Sequence, residues 1–276
     1  MTNPTTHADF TRLRRFRQQA YQLFTGGKDA FFELLDAVLQ TPRAGSFVEL
    51  SLAPAFTRRW ASAYQALENA RYDAQELNDL CLAQVPTEHV AHFAIDVTGL
   101  RRLRSPTLRE RRYYHGAARE AHGRGVLLGL PYSLVAWTPQ RASSFAPAVQ
   151  SQRLAPEQKA VAVAVQQVLQ LGLELDWRAA LDGAYGNKQF FAPLQDKAVQ
   201  VVARTRDDGV FYRRAHAEDY GGRGRRPTCG AAFRCADPST WGPPDESVSF
   251  DEAQHGRVEL QLTSWQRGTV VGQSLR

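Results

Sequence analysis

Past Pro86 the hydrophobic pattern of the chain changes its period, and the order of the segments that follow constrains the fold more than any other feature. Residues 92–98 form a short apolar run closed by Asp96, Thr98 and Gly99, the pattern of a buried strand. Residues 111–118 and 126–137 read as the next two strands of a meander. Pro156 opens a helix predicted through Leu171, with Val161, Val165, Val168 and Leu169 in one stripe. Residues 176–181 are again a strand and end at Asp182-Gly183; a short helix over 187–195 then leads to a strand over 199–205. Strand runs joined by crossover helices call for an α/β domain with a mixed sheet.

Before Pro86 the period is helical. Phe10, Leu13, Phe16, Ala20 and Phe24 recur at helical spacing until Gly26-Gly27. Residues 29–40 follow, with Phe31, Leu34, Leu35, Val38 and Leu39 on one side. A third stretch after Pro54 carries Phe56, Trp60, Tyr64 and Leu67, and Asp73 caps a fourth with Leu77, Leu80 and Cys81. Arg12, Arg14, Arg15, Arg17, Arg58 and Arg59 on exposed faces suit a DNA-binding bundle, and a structural cap equally well. Beyond residue 215 a Gly/Arg-rich loop over 221–227 and a Pro-bracketed Trp241 intervene, and only 247–250 and 257–265 alternate like strands. Three regions are therefore expected: 1–86 helical, 87–214 α/β, and 215–276 a β-rich, incomplete insertion.

The polar start of the chain lacks the apolar stretch of a signal peptide, and the longest apolar run, 126–135, contains Pro131 and is too short to cross a bilayer. Three cysteines, an odd number, argue against a disulfide framework, so a soluble cytoplasmic protein without membrane partners is expected. The net charge is +6, and its location matters more than its size. Between Arg101 and Gly125 lie Arg101, Arg102, Arg104, Arg109, Arg111, Arg112, Arg119 and Arg124, opposed only by Glu110 and Glu120. Guanidinium forks match phosphate oxygens and release condensed counterions, so the cluster points to a nucleic-acid backbone; a solvated basic face is the plain alternative.

Asp96 ends a run of Phe93, Ala94 and Ile95, where a carboxylate is costly unless it is paired or on a metal. Asp182 ends a second strand. With the sheet order predicted above these strand ends are neighbours, and a divalent cation resolves the repulsion of two adjacent carboxylates. Two-metal phosphoryl transfer uses such a pair. Taken singly, each aspartate is equally a turn or helix cap.

The segment order is that of a ribonuclease H-like sheet. Asp96-Val97-Thr98, Tyr114-His115-Gly116, Leu130-Pro131-Tyr132-Ser133 and Asp182-Gly183-Ala184-Tyr185-Gly186 together resemble bacterial insertion-sequence transposases with a DDE domain. Gly224-Arg225-Arg226-Pro227, Gly230, Phe233 and Asp237-Pro238-Ser239-Thr240-Trp241 resemble the segment that family inserts before its last catalytic helix. Phe16-Arg17-Gln18-Gln19 and Leu50-Ser51-Leu52-Ala53-Pro54 resemble its leading helical region. The resemblance implies cut-and-paste DNA transposition, with Asp96 and Asp182 as catalytic ligands of Mg²⁺ or Mn²⁺, and DNA, both element ends and target, as partner.

The family's third acid is a glutamate on a later helix, and no residue here fits it. Glu259 falls in an alternating strand pattern, and Glu246 and Glu252 in loop flanked by proline. The expectation is a product truncated before that residue. Two readings follow: a transposase with an incomplete site, or a non-catalytic DNA-binding fragment that competes with the full-length enzyme and associates with it or with itself. Lys188, Arg204 and Arg206, which follow the second acid, are further candidates for phosphate contacts. Tyr185 is either a packed turn residue or a neighbour of the site. Cys229 and Cys235 with His216 and His255 lack a zinc-knuckle spacing, and His115 and His122 read as surface or core residues.

Overall fold

The computed structural model describes residues 4–116, 125–139, 145–172, 176–195, 197, 199–215, 220–243, 246–252, 258–264, 268–270 and 273–274; for 4–9, 213–214 and 246 onward it describes the backbone alone. Arg119, His122, Arg124, His216 and His255 lie outside the described residues. The chain forms two compact units, one of residues up to Pro86 with Val149–Ser151, the other of Thr87–Ala148 and the chain from Gln152.

The first unit is helical: α1 (Pro4–Leu23), α2 (Lys28–Gln40), α3 (Phe47–Leu50), α4 (Ala61–Asn69) and α5 (Ala74–Leu82). Gly26 and Gly27 stop α1 at φ of 67° and 58°, and a Cβ on Gly26 would meet the Asn69 carbonyl oxygen at 2.6 Å. That close approach lets Thr25 and Arg71 exchange backbone hydrogen bonds of 2.8 Å each way. Asp73 caps α5 as its position predicts, accepting from the Gln75 and Glu76 N–H groups. Three predicted stripes are wrong in part; on α1 Ala20 and Phe24 are buried, but Phe10 and Leu13 are exposed. On α2 the buried residues are Phe32, Leu34 and Ala37, while Leu35, Val38 and Leu39 are exposed, Leu39 to 84%. On α4 Ala63 and Ala66 are buried, while Trp60, Tyr64 and Leu67 are exposed. The core is built from small residues with Leu34, Leu50, Ala53 and Phe56. Alanines let the helix backbones approach, so bulk was a poor guide to the packed face.

The second unit is built on a mixed sheet. Its strands are β1 (Ala91–Arg101), β2 (Arg112–His115), β3 (Val126–Trp137), β4 (Ala148–Arg153, of which Val149–Ser151 group with the first unit), β5 (Trp177–Leu181) and β6 (Val201–Ala203). The order is β2-β3-β1-β5-β6, and β4 also pairs with β3. β3 runs antiparallel to β1 and β2, whereas β1, β5 and β6 run parallel to one another. The Trp137 N–H bonds the Pro147 carbonyl and the Leu154 N–H bonds the Pro131 carbonyl, which brackets β4 antiparallel along β3. Four antiparallel strands, a helix, a parallel strand, a helix and a parallel strand make a ribonuclease H-like sheet. β4 was not predicted, since Ala148-Val149-Gln150-Ser151-Gln152-Arg153 is largely polar.

The crossover helix α6 (Ala160–Gln170) starts four residues later than Pro156 suggests, and it buries Val163, Ala164, Val165, Gln167 and Val168. Buried Phe93 and Ile95 of β1, Val135 of β3, and Trp177, Ala179 and Leu181 of β5 complete this core. One polar pair lies inside it. The Ser133 hydroxyl donates to Gln167 Oε1 at 2.6 Å, and Gln167 Nε2 donates to the Ser133 carbonyl at 3.2 Å. The second helix, α7 (Lys188–Phe191), is short and continues as a 3-10 turn over Ala192–Leu194.

Downstream, β7 (Val210–Arg214), β8 (Cys229–Arg234), β11 (Gly268–Val270) and β12 (Gln273–Ser274) form a sheet in the order β12-β11-β7-β8. β9 (Glu246–Glu252) and β10 (Val258–Ser264) pair antiparallel. Glu246 and Glu252 therefore end a strand instead of lying in loop, and Glu259 sits in a strand opposite Asp251, as its alternation predicts. Among the described residues no helix is long and apolar enough to cross a membrane.

Candidate active site

The parallel pairing of β1 and β5 decides where the two aspartates stand. The ladder runs from Ala91 opposite Trp177 to Ile95 opposite Leu181, and Asp96 and Asp182 are the next residue on each strand. Ile95 and Leu181 are both buried, so by the period of two both aspartates leave the core at the same end of the sheet. Both are exposed. β6 extends the arrangement, because Leu181 pairs with Ala203 and the Arg204 N–H donates to the Leu181 carbonyl at 3.1 Å. Carboxyl ends of adjacent parallel strands are where α/β sheets place their ligands.

Local turns hold each carboxylate. Asp96 Oδ1 accepts from the Val97 N–H at 2.7 Å, and Asp182 Oδ1 accepts from the Ala184 N–H at 2.9 Å. The Asp182–Gly186 turn is closed by the Tyr185 N–H on the Asp182 carbonyl at 3.2 Å. Gly186 is needed there, since a Cβ would stand 2.7 Å from the Arg204 carbonyl oxygen. Asn187 then caps α7, accepting from the Phe190 N–H, and its Nδ2 donates to the Ala184 carbonyl at 2.7 Å.

A cleft of about 460 Å³ opens over both aspartates, walled by Arg112, Tyr113, Tyr114 and His115 of β2 and by Tyr185. A second, of about 550 Å³, lies beyond Asp182 and is lined by Arg204, Arg206, Asp207 and Asp208. Asp182 and Ala184 line both. Among the described residues no cation forms a salt bridge to either aspartate. Burial lifts the Asp96 pKa above the ordinary carboxylate value, the Val97 N–H works against the rise, and the Asp182 charge adds to it. Burial also raises the Tyr185 phenol, followed by the charges of Asp96 and Asp182. A profile described as DDE superfamily endonuclease matches residues 20–270.

The chain belongs to the DDE superfamily endonuclease family.

The chain is also similar to a piggyBac transposase, solved as a synaptic complex with hairpin DNA. The TM-score is 0.41 at 12% identity, over 86% of this chain. The chain spans 48% of the piggyBac chain, about half its length. No curated protein matches the sequence.

The donor set fits a hard divalent cation: two carboxylates on adjacent strands, neither of them in a salt bridge among the described residues. Among the described residues no third His, Cys, Asp or Glu joins them in one cluster. The predicted phosphate-binding residues divide by what they touch. Arg101, Arg102, Arg104 and Arg109 are exposed. Arg111 instead donates to the carbonyls of Leu108, Arg102 and Leu103, and so closes the connection from β1 to β2. Arg112 donates from Nη1 to the Ala155 carbonyl at 2.7 Å and to that of Gln158, tying β2 to the lead-in of α6 while lining the cleft. Arg204 and Arg206 line the second cleft with Asp182, and Arg206 also pairs with Asp208 at 3.1 Å. Lys188 is exposed at the start of α7. Sequence reasoning missed Tyr113, Tyr114 and His115 as cleft walls. Their signals were the Tyr114-His115-Gly116 motif and the alternation of a strand that pairs with β3.

Proposed function

We propose that the chain acts in DNA transposition, and that Asp96 and Asp182 hold a Mg²⁺ or Mn²⁺ ion for cleavage and strand transfer at the ends of an insertion element. The reading is carried by the in-register pairing of β1 and β5, which sets Asp96, within β1, one residue past the shared ladder just as Asp182 is at the end of β5, with no salt bridge to either among the described residues. Membership of the DDE endonuclease family supports the same reaction class. When bound, the ion supplies Lewis acidity at a phosphodiester and lowers the pKa of an attacking water or 3′-hydroxyl.

The remaining work falls to the chain's own groups. The Val97 and Ala184 N–H groups each fix one oxygen of a carboxylate that lines the cleft. Arg204 and Arg206 beside Asp182, with Lys188, offer cations to the phosphates that flank the scissile bond. Arg101, Arg102, Arg104 and Arg109 extend a positive face for the DNA backbone, a sequence-independent attraction that weakens with salt. The protein would act on cytoplasmic DNA, and a full-length transposase or a second copy would be its protein partner.

The test is incubation with DNA carrying element ends and Mg²⁺ or Mn²⁺, with Asp96→Asn and Asp182→Asn beside the parent. Nicking by the parent at the element end, lost by more than about 100-fold in either variant, is the expected result. Salt-sensitive binding of the same DNA without nicking, in parent and variants alike, would replace the enzyme reading with that of a DNA-binding fragment that competes with a full-length transposase.

A further inference from the structure

Tyr185 lies in the turn that carries Asp182, yet its side chain is packed like a core residue. It is 2% exposed, and its ring sits edge-on against Phe190 at 5.8 Å and 71°. At that burial its hydroxyl meets no hydrogen-bond partner among the described residues. A buried hydroxyl without a partner destabilises a fold, and each case needs a reason. Phenylalanine would fill the same space at no such cost, so packing does not account for the oxygen.

The surroundings supply a reason. Tyr185 lines the cleft that holds Asp96 and Asp182. The ring is fixed by Phe190, and its backbone is fixed by the hydrogen bond to the Asp182 carbonyl, so the phenol stays in place. The carboxylates are the partners at hand: both line the same cleft, and each has a second oxygen besides the one that a backbone N–H holds. Their like charges keep them apart as long as no cation lies between them.

We propose that Tyr185 is a positioning residue of the carboxylate pair, its fixed phenol donating a hydrogen bond to that pair once a divalent cation has neutralised it. The inference rests on the metal reading of Asp96 and Asp182 and adds to it a residue that sets ion affinity without touching the ion. Partners that orient a ligand carboxylate in this way change metal affinity by about 10- to 100-fold.

The test is thermal unfolding of the whole chain over a MnCl₂ titration, for the parent, Tyr185→Phe, Asp96→Asn and Asp182→Asn. A ligand that binds only the folded state raises Tm with its concentration, so the midpoint of the rise reports affinity. Tyr185→Phe is expected to unfold without ion at the parent temperature or above it, and to need about tenfold more Mn²⁺ for half of the parent's rise. A parent-like Mn²⁺ midpoint in Tyr185→Phe would overturn the inference alone. So would an ion-free Tm several degrees below the parent, which would make the hydroxyl part of the packing. If the parent does not respond to Mn²⁺, or if Asp96→Asn and Asp182→Asn respond as it does, the metal reading falls and this inference falls with it.

Discussion

Asp96 carries its charge where the cleft walls remove part of its water and a second carboxylate stands on the next strand. Both effects favour the protonated form in the folded protein, so the folded pKa lies above the unfolded one. The sign of the linkage follows. The contribution is complete below the unfolded pKa and is lost as pH rises through the raised folded value. Metal-free Asp96→Asn should therefore be more stable than the parent near neutral pH. The gain should be under about 1 kcal/mol, because the open side of the cleft screens the charge. The difference should shrink as pH falls through the folded pKa of Asp96, as urea melts at several pH values would show; an equal difference at every pH would contradict it. At this scale the two acids were legible, because in each case an apolar strand run gives way to aspartate, although β1 itself continues past Asp96 to Arg101. Tyr185 was not, since no local pattern tells a surface turn tyrosine from a packed one. Arg111 and Arg112 counted only as charge in the sequence, and their commitment to main-chain carbonyls depends on the path of the loops they tie.

Elements hold these residues in place through few polar contacts. The Ser133–Gln167 pair is the clearest, joining β3 to α6 inside an otherwise apolar layer. Ser133→Ala leaves the Gln167 side-chain oxygen without its donor and should cost about 1–3 kcal/mol. Adding Gln167→Leu should recover part of that loss, because removing both partners of a buried pair costs less than removing one. Chemical denaturation of the two single variants and the double variant checks the cycle, and strictly additive losses would refute it. Most strands and helices of the sheet were readable from period and length. The failures share one cause. β4 is polar along most of its length, and the faces of α2 and α4 were assigned by side-chain bulk although Ala37 beside Phe32 and Leu34 on α2, and Ala63 and Ala66 on α4, make the packed surface. Tertiary packing chose the face, and local pattern does not encode it.

Across the whole molecule the charge excess is concentrated in one stretch, and that concentration predicts how DNA affinity responds to ions. Replacing Arg101, Arg102, Arg104 and Arg109 together with alanine should flatten the slope of log affinity against log salt by about 3 to 4, at roughly 0.9 for each phosphate no longer neutralised. Fluorescence anisotropy over a salt series measures this, and an unchanged slope would remove the cluster from the interface. Composition alone located this charge, whereas the clefts required strand pairing, which is non-local. The pairing of β1 with β5 has a last consequence, for how sequences of this kind can change. Substitutions can be absorbed singly, but insertion or deletion of one codon within either strand shifts the phase of its alternation and turns the terminal acid toward the hydrophobic layer. Length variation should therefore collect in the connections between strands, and 91–96 and 177–182 should keep their spacing even in copies that have lost function by other routes.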